Sequence, residues 1–381
     1  MKHKIIVVIT FILITHFSAC QKKDLENGKK IANMNEEKFD WDGMACVPTG
    51  YPATVLSPNI FYSSGGKYIT LIPNMSYIKG DWKGAASGWA SQPKPAPDHL
   101  SITWFSETEN KIYAGEFELP QQKIYNLFKE GYMIYGIPDA IDDNEERLHW
   151  ETYNSLTVGL APKGMVVVWI DGQNKVEIGR YQAKELDRKQ ANEVFKMHFK
   201  SSGDMPETID KLEFDRLTPE VKEIVKQGKI SCKQWDDYRL RYNWKVDFSK
   251  PFQMYSYYVR YFNSEKAGNL PPKVSQEEFN KIILAPSSKV VPNNLGMYVT
   301  AQNHRNYLIR LETLDEQETI EAFKNLEEVS PKAVITVFIT VDDDFKNFTV
   351  TLKNDKKEIK LEKALLRLFT LDKSNDLKNQ M

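Results

Sequence analysis

The chain has 381 residues, long enough for two domains or for one large body with a well-buried core. Its 51 Lys and Arg against 52 Asp and Glu give a formal net charge of −1, and this balance excludes the strongly basic surface that nucleic acid or an anionic membrane would select. Aromatic residues make up 12% of the chain and favour pleated, half-buried surfaces, so a β-rich α+β fold is expected, with antiparallel sheets and a few packed helices.

Lys2 and Lys4 precede an almost unbroken apolar run, Ile5 to Ile14, and the small residues Ser18 and Ala19 then meet Cys20. A basic start, a short apolar centre and a small-residue cleavage site make residues 1–19 a secretory signal; the run is shorter than the about 20 residues that span a bilayer. Small residues ending directly on cysteine resemble the bacterial lipobox, with Phe17 where Leu is usual. That resemblance implies cleavage before Cys20, acylation of its thiol and anchoring in a lipid bilayer. Residues 20–37 are polar and without periodicity and read as a flexible tether. Gln21 is not the Asp that marks inner-membrane retention in many Gram-negative bacteria, so the expected address is the outer membrane, facing the periplasm or the cell surface.

From Phe39 to Trp89 short apolar runs alternate with Pro48, Pro52, Pro58, Gly65-Gly66 and Pro73, a pattern of short strands between turns. DWKGAASGW, residues 81–89, reads as a loop carrying Trp82 and Trp89, and Pro93, Pro95 and Pro97 as a stiff connector. LSITWFS and KIYAGEFEL predict two strands, Pro120 the start of a helix through Lys129, and SLTVGLA and PKGMVVVWI two more strands, the second suited to a sheet centre. Residues 185–200 predict a helix, and Thr218-Pro219 caps another that ends at Gly228. In WDDYRLRYNWKVDF, Tyr238, Leu240, Tyr242, Trp244 and Val246 alternate with Arg239, Arg241, Asn243 and Lys245, which predicts one strand with an aromatic face and a basic face. After a linker at 269–272, Ser275 and Glu278 form a capping box; strands, a helix capped by Asp315, further strands and a last apolar helix through Phe369 follow.

The order of elements repeats. KIYAGEFEL and a helix ending Leu127-Phe128-Lys129 parallel NYLIRLETL and a helix ending Ala322-Phe323-Lys324, and Pro162 to Ile170 parallels Pro331 to Ile339. Two related lobes are expected, with a β-rich domain at 38–268 and a C-terminal α+β unit at 269–381 as a diverged copy.

FDWDGMACVPTGYPATV, LSITWFSETENKIYAGEFELP, LTVGLAPKGMVVVWIDG and WDDYRLRYNW resemble the bacterial family catalogued as domain of unknown function 2931, over Phe39 to Phe248. Its members are mostly predicted lipoproteins, which accords with an acylated Cys20. The resemblance implies no activity, cofactor or catalytic residue.

Chemistry is sparsely signalled. No phosphate-cradling glycine loop joins a strand to a helix, and no cofactor is implied. No metal is implied either: His99, His149, His198 and His304 lack ligand spacing, and the acidic run around Asp142 to Glu146 lacks the order of a calcium loop. Ser76-x-x-Lys79 and Gly84 to Gly88 lack the context of nucleophile motifs. Cys46 and Cys232 are an even pair for an oxidising compartment, where they either form a disulfide or stay as separate thiols. Arg239, Arg241 and Lys245, with Trp82 and Trp89 on the loop, are the candidate binding face, against the alternative of a solvated sheet face. The reading reached is a lipid-anchored, non-enzymatic envelope protein that binds a protein or a saccharide, a toxin-neutralising immunity protein being one form. The alternative is an envelope hydrolase acting on glycans through carboxylates gathered from distant segments.

Overall fold

The computed structural model of the protein describes residues 34, 36–73, 78, 82, 92–135, 148–199, 217–268, 274–302, 305–342 and 347–371. The signal, Cys20, nearly all of the tether and Trp89 lie outside them.

The first unit runs β1 (Asp42–Cys46), β2 (Ala53–Ser63), β3 (Lys67–Leu71), β4 (His99–Ser106), β5 (Lys111–Glu118), α1 (Gln121–Glu130), the small hairpin β6 (Tyr132–Tyr135) and β7 (Leu148–Glu151), then β8 (Ser155–Ala161), β9 (Met165–Asp171), β10 (Lys175–Gln182) and β11 (Lys184–Glu185). The helices α2 (Arg188–Phe199), α3 (Pro219–Lys226) and α4 (Lys233–Asp237) lead to the second unit. That unit runs β12 (Arg241–Phe248), β13 (Gln253–Tyr261), β14 (Lys266–Ala267), α5 (Gln276–Leu284), β15 (Ser287–Val290), β16 (Pro292–Thr300), β17 (Asn306–Thr313), α6 (Glu316–Val329), β18 (Ile335–Val341), β19 (Phe348–Lys353), β20 (Glu358–Lys360) and β21 (Leu365–Leu371). The protein is a β-rich α+β fold with mixed and antiparallel sheets and few helices.

Both units have the same topology. In the first, β1-β8-β9-β10 form one ribbon of neighbours and β11-β5-β4-β2-β3 another; in the second, β12-β18-β19-β20 and β21-β17-β16-β13-β14 follow the same order. Even the pairing sense agrees: β1 with β8 and β12 with β18 are parallel, and the other pairs in both sets are antiparallel. Two independent chains of short strands would have no reason to reproduce a parallel pair inside an otherwise antiparallel set, so the fold is duplicated. The pairing corrects one sequence parallel. β18, which follows its helix and lies beside β12, corresponds to β8 rather than to the Pro162–Ile170 segment. It also places the division ahead of Leu270, because β12 and β13 hydrogen-bond within the second unit.

Side-chain packing repeats as well. Trp41 and Phe39 meet Phe128 of α1 at ring-centre distances of 5.9 and 5.3 Å; Trp244 and Tyr242 meet Phe323 of α6 at 6.3 and 5.3 Å. Each indole N–H donates to the backbone of the segment leading into the next long strand, to Lys94 O at 3.3 Å and to Val290 O at 3.0 Å. Each helix is tied by its lysine to a carboxylate just before the unit's first strand, Lys129 to Glu37 at 2.8 Å and Lys324 to Asp237 at 2.9 Å.

The units share one nine-stranded sheet, joined where β14 lies between β10 and β13. This explains why β9 is apolar throughout: Val166, Val168 and Ile170 enter the core of the first unit, while Met165, Val167 and Trp169 enter the larger core shared with the second. In β18 only alternate residues, Ile335, Val337 and Ile339, are fully buried.

The expected C-terminal helix is a strand. Leu365–Leu371 pairs with β17, and an apolar run of this length carries no period that separates strand from helix. The expected WDDYRLRYNW strand begins only at Arg241; Tyr238 caps α4 and Leu240 is exposed.

Candidate functional site

The expected basic face does not stand free. Arg239 donates through Nε and Nη2 to Glu177 Oε1 at 2.8 and 2.6 Å, Arg241 Nη2 lies 3.2 Å from Glu265 Oε2, and Lys245 Nζ lies 2.9 Å from Asp247. Glu177 is on β10 and Glu265 immediately precedes β14, so Arg239 ties to the first unit and Arg241 braces the approach to the junction strand. Trp82 is buried edge-on against Trp169 at 5.1 Å in the shared core. Asn263 O accepts from Trp169 Nε1 at 3.1 Å in the same region.

Cys46 and Cys232 are not joined in this structure, so the disulfide considered from sequence is not formed. Cys46 is buried, with Sγ 3.9 Å from Trp82 O. Cys232 Sγ sits 3.8 Å from Asp236 Oδ2 and 3.9 Å from Arg180 Nη2. Burial, and then the Asp236 carboxylate, push the Cys232 thiol up, which disfavours the reactive thiolate. Among the described residues no three His, Cys, Asp or Glu side chains gather as a metal site.

A different surface carries convergent chemistry. In the first unit, β3, β2, β4 and β5 pair so that Tyr68, Tyr62, His99 and Glu118 fall on one row across four strands. Directly opposed residues share a face, and inward neighbours confirm which one: Phe61 and Leu100 are fully buried, so the row points outward. Tyr62 and His99 stack with ring centres 4.9 Å apart and planes at 28°. Tyr68 is 55% exposed. Glu116, two residues before Glu118 on β5, is exposed on the same face.

Asp98 fixes the imidazole. Its Oδ1 lies 2.7 Å from His99 Nδ1, and its Oδ2 accepts from the Ser64 backbone N–H at 3.0 Å and from the Ser64 hydroxyl. Burial by itself raises the Asp98 carboxyl, but the hydrogen bonds from His99 and Ser64 outweigh it and hold the group below its ordinary value. An ionised Asp98 accepts a proton-bearing Nδ1, and in the neutral ring this leaves Nε2 as an acceptor at the far corner. Burial, and then Glu116 and Asp98, raise the Tyr62 phenol, so its hydroxyl stays a donor at neutral pH. The row therefore combines aromatic faces, one oriented imidazole acceptor and two exposed carboxylates on a rigid sheet. Sequence reading passed over it because Tyr62 and His99 lie on different strands; the adjacent pair Asp98-His99 at the head of an alternating strand was the available signal.

A comparison with known protein families matches residues 25–231 to the family described as protein of unknown function (DUF2931). The matched segment ends just before β12, so it holds the whole first unit, the Tyr62–His99 row included, and stops short of the second. No curated protein and no solved structure matches the chain.

Proposed function

Because more than half of it matches, the chain belongs to the DUF2931 family of unknown function, and from that premise we propose that it is a lipid-anchored envelope protein that binds a neutral saccharide on the outward row of its family domain. The stacked Tyr62 and His99 carry this reading. Flat aromatic faces pack against the C–H faces of a sugar ring, His99 Nε2 accepts one hydroxyl, and Glu116 and Glu118 accept others. Placement on paired strands keeps these groups preorganised, which lowers the cost of binding.

The anchor is part of the proposal and rests on the sequence around Cys20 alone. A palmitate analogue fed to cells producing the protein is expected to label it, and Cys20→Ser to abolish the label; unchanged labelling would remove the anchor. For binding, the purified protein is titrated calorimetrically with maltohexaose, cellohexaose and chitohexaose. At least one is expected to bind, with affinity reduced at least about tenfold in Tyr62→Ala. No heat with any of the three, or equal affinity in the variant, would remove the saccharide reading.

Glu116 and Glu118 also support a second reading. Residues two apart on a strand stand roughly 7 Å apart, within the range of paired carboxylates in glycosidases. Release of reducing ends from those oligosaccharides, lost in Glu116→Gln, would favour hydrolysis over binding alone.

A further inference from the structure

The second unit presents the counterpart of this sheet with opposite charge. Register across β13, β16, β17 and β21 places Tyr258, Gly296, Arg310 and Arg367 in one row. Leu295, Met297 and Ile309, their chain neighbours, are fully buried, so this row too points outward. Arg260 and Tyr298 flank it on adjacent rows of the same face, opposite Asn294 and Leu308 respectively.

Gly296 is required here. A Cβ at this position would come 2.2 Å from Tyr258 Cε1, so the tyrosine ring lies directly across the β16 backbone. From there its hydroxyl oxygen accepts from the Arg310 guanidinium on the next strand. Arg310 keeps a buried Nε that no acceptor meets among the described residues. Arg310 as a whole is only half-buried, and a guanidinium is built for two-point contact with a carboxylate or phosphate through its terminal nitrogens. Arg367 Nε lies 3.1 Å from Glu312 Oε2, which offsets one of the three arginine charges and leaves the face cationic.

In the first unit a helix covers one part of the corresponding face. There α2 follows β11 and packs Ala191 and Phe195 on Leu56, Phe105 and Ile112, an apolar patch on the outer side of the sheet. Beyond that patch the outer side of the first unit carries the Tyr62–His99 row and two carboxylates, whereas the second unit carries tyrosines and arginines.

We propose that this face binds an acidic glycan, a saccharide bearing carboxylate or phosphate, with Tyr258 and Tyr298 as the stacking platform and Arg310, Arg260 and Arg367 as the anion contacts. The sheet supplies both parts of the recognition: the ring that crosses Gly296 takes the sugar face, and Arg310 beside it takes the acidic group. This site is separate from the Tyr62–His99 row and stands or falls without it.

The test titrates the purified protein with tetragalacturonate, with glucose 6-phosphate, with inorganic phosphate and with maltotetraose, following backbone amide shifts of β13, β16 and β17. One of the two acidic saccharides is expected to shift these amides and to bind at least about tenfold more weakly to Arg310→Ala, with affinity falling as salt is raised. Tyr62→Ala is expected to leave this binding unchanged, and Arg310→Lys, which keeps the charge but loses the two-point contact, to recover only part of it. Which acidic saccharide binds separates carboxylate from phosphate as the group recognised. Inorganic phosphate binding as tightly as the sugar phosphate, maltotetraose binding as tightly as either, or wild-type affinity in a folded Arg310→Ala would each overturn the proposal.

Discussion

Trp41 and Trp244 occupy the same place in two copies of one unit: Trp41 immediately precedes β1 and Trp244 lies on β12, and each indole meets a phenylalanine of the unit's long helix and donates to the segment that enters the next long strand. Both are almost fully buried. Replacing either by Ala removes a large packed side chain from a separate core, and each change is expected to cost about 3–5 kcal/mol. Urea unfolding followed by circular dichroism measures this. A small loss at Trp244 beside a large one at Trp41 would mean that the second copy is not held by the same packing.

The junction between units centres on Asp171. Its two oxygens lie 2.9 Å from Lys175 Nζ and 2.9 Å from Lys266 Nζ, and the Lys175 side chain is fully buried, with its ammonium 4.9 Å from the centre of the Trp169 ring. Lys175 and Lys266 face each other across the β10–β14 pairing, so without the carboxylate two cations would oppose at the seam. Asp171→Asn is expected to destabilise by about 3–5 kcal/mol, whereas Asp171→Leu combined with Lys175→Met is expected to recover much of that loss, because no buried charge is then left alone. Equal instability of the single and double variants in the same unfolding assay would contradict this account of the seam.

Lys289 differs from its counterpart Lys94 in one respect. Both ammonium groups lie over the tryptophan of their unit, at 4.2 Å for Lys289 and 5.1 Å for Lys94, but Lys94 is 3.5 Å from Asp42, whereas the residue after Trp244 is Lys245. Burial without a carboxylate lowers the Lys289 ammonium to about 8. Below that pH both folded and unfolded chains carry the proton, and the fold bears the full cost of a half-buried charge. Between about 8 and 10.5 only the unfolded chain holds it, so stability contributed by this position rises with pH. Lys289→Met is therefore expected to stabilise the protein at pH 7 by on the order of 1 kcal/mol, with the gain fading toward pH 10. A gain that grew with pH would contradict the sign.

Much of the fold was legible where chemistry is local. Thr218 accepts from Val221 N as a cap, Ser275 and Glu278 close the capping box, and Asp315 accepts from Glu318 N, all as their spacing predicts. The duplication was visible because Phe128 and Phe323 lie on helices that follow similar strands, although α6 continues past the expected Lys324 to Val329. The finer match failed because β8 and β9 are both apolar, and only pairing shows which one lies beside the unit's first strand. Leu365–Leu371 was misread for the same reason: in LLRLFTL hydrophobicity is too continuous to show a period. Arg239 and Arg241 were read as a basic face because their partners, Glu177 and Glu265, lie 62 and 24 residues away in sequence. Outward orientation was legible strand by strand, but the row formed by Tyr68, Tyr62, His99 and Glu118 exists only once register is fixed.

Saccharide binding on the first unit depends most on His99 presenting an acceptor Nε2 beside Tyr62. Long-range nitrogen–proton correlation spectra of the imidazole, recorded at pH 7.5 while the protein is titrated with the neutral hexasaccharide that binds it, test this directly. A protonated Nδ1 and an unprotonated Nε2 are predicted in the free protein, with the Nε2 resonance shifting on saccharide addition and that shift lost in Tyr62→Ala. An Nε2-protonated ring in the free protein, or an Nε2 resonance unmoved at saturating saccharide, would contradict it.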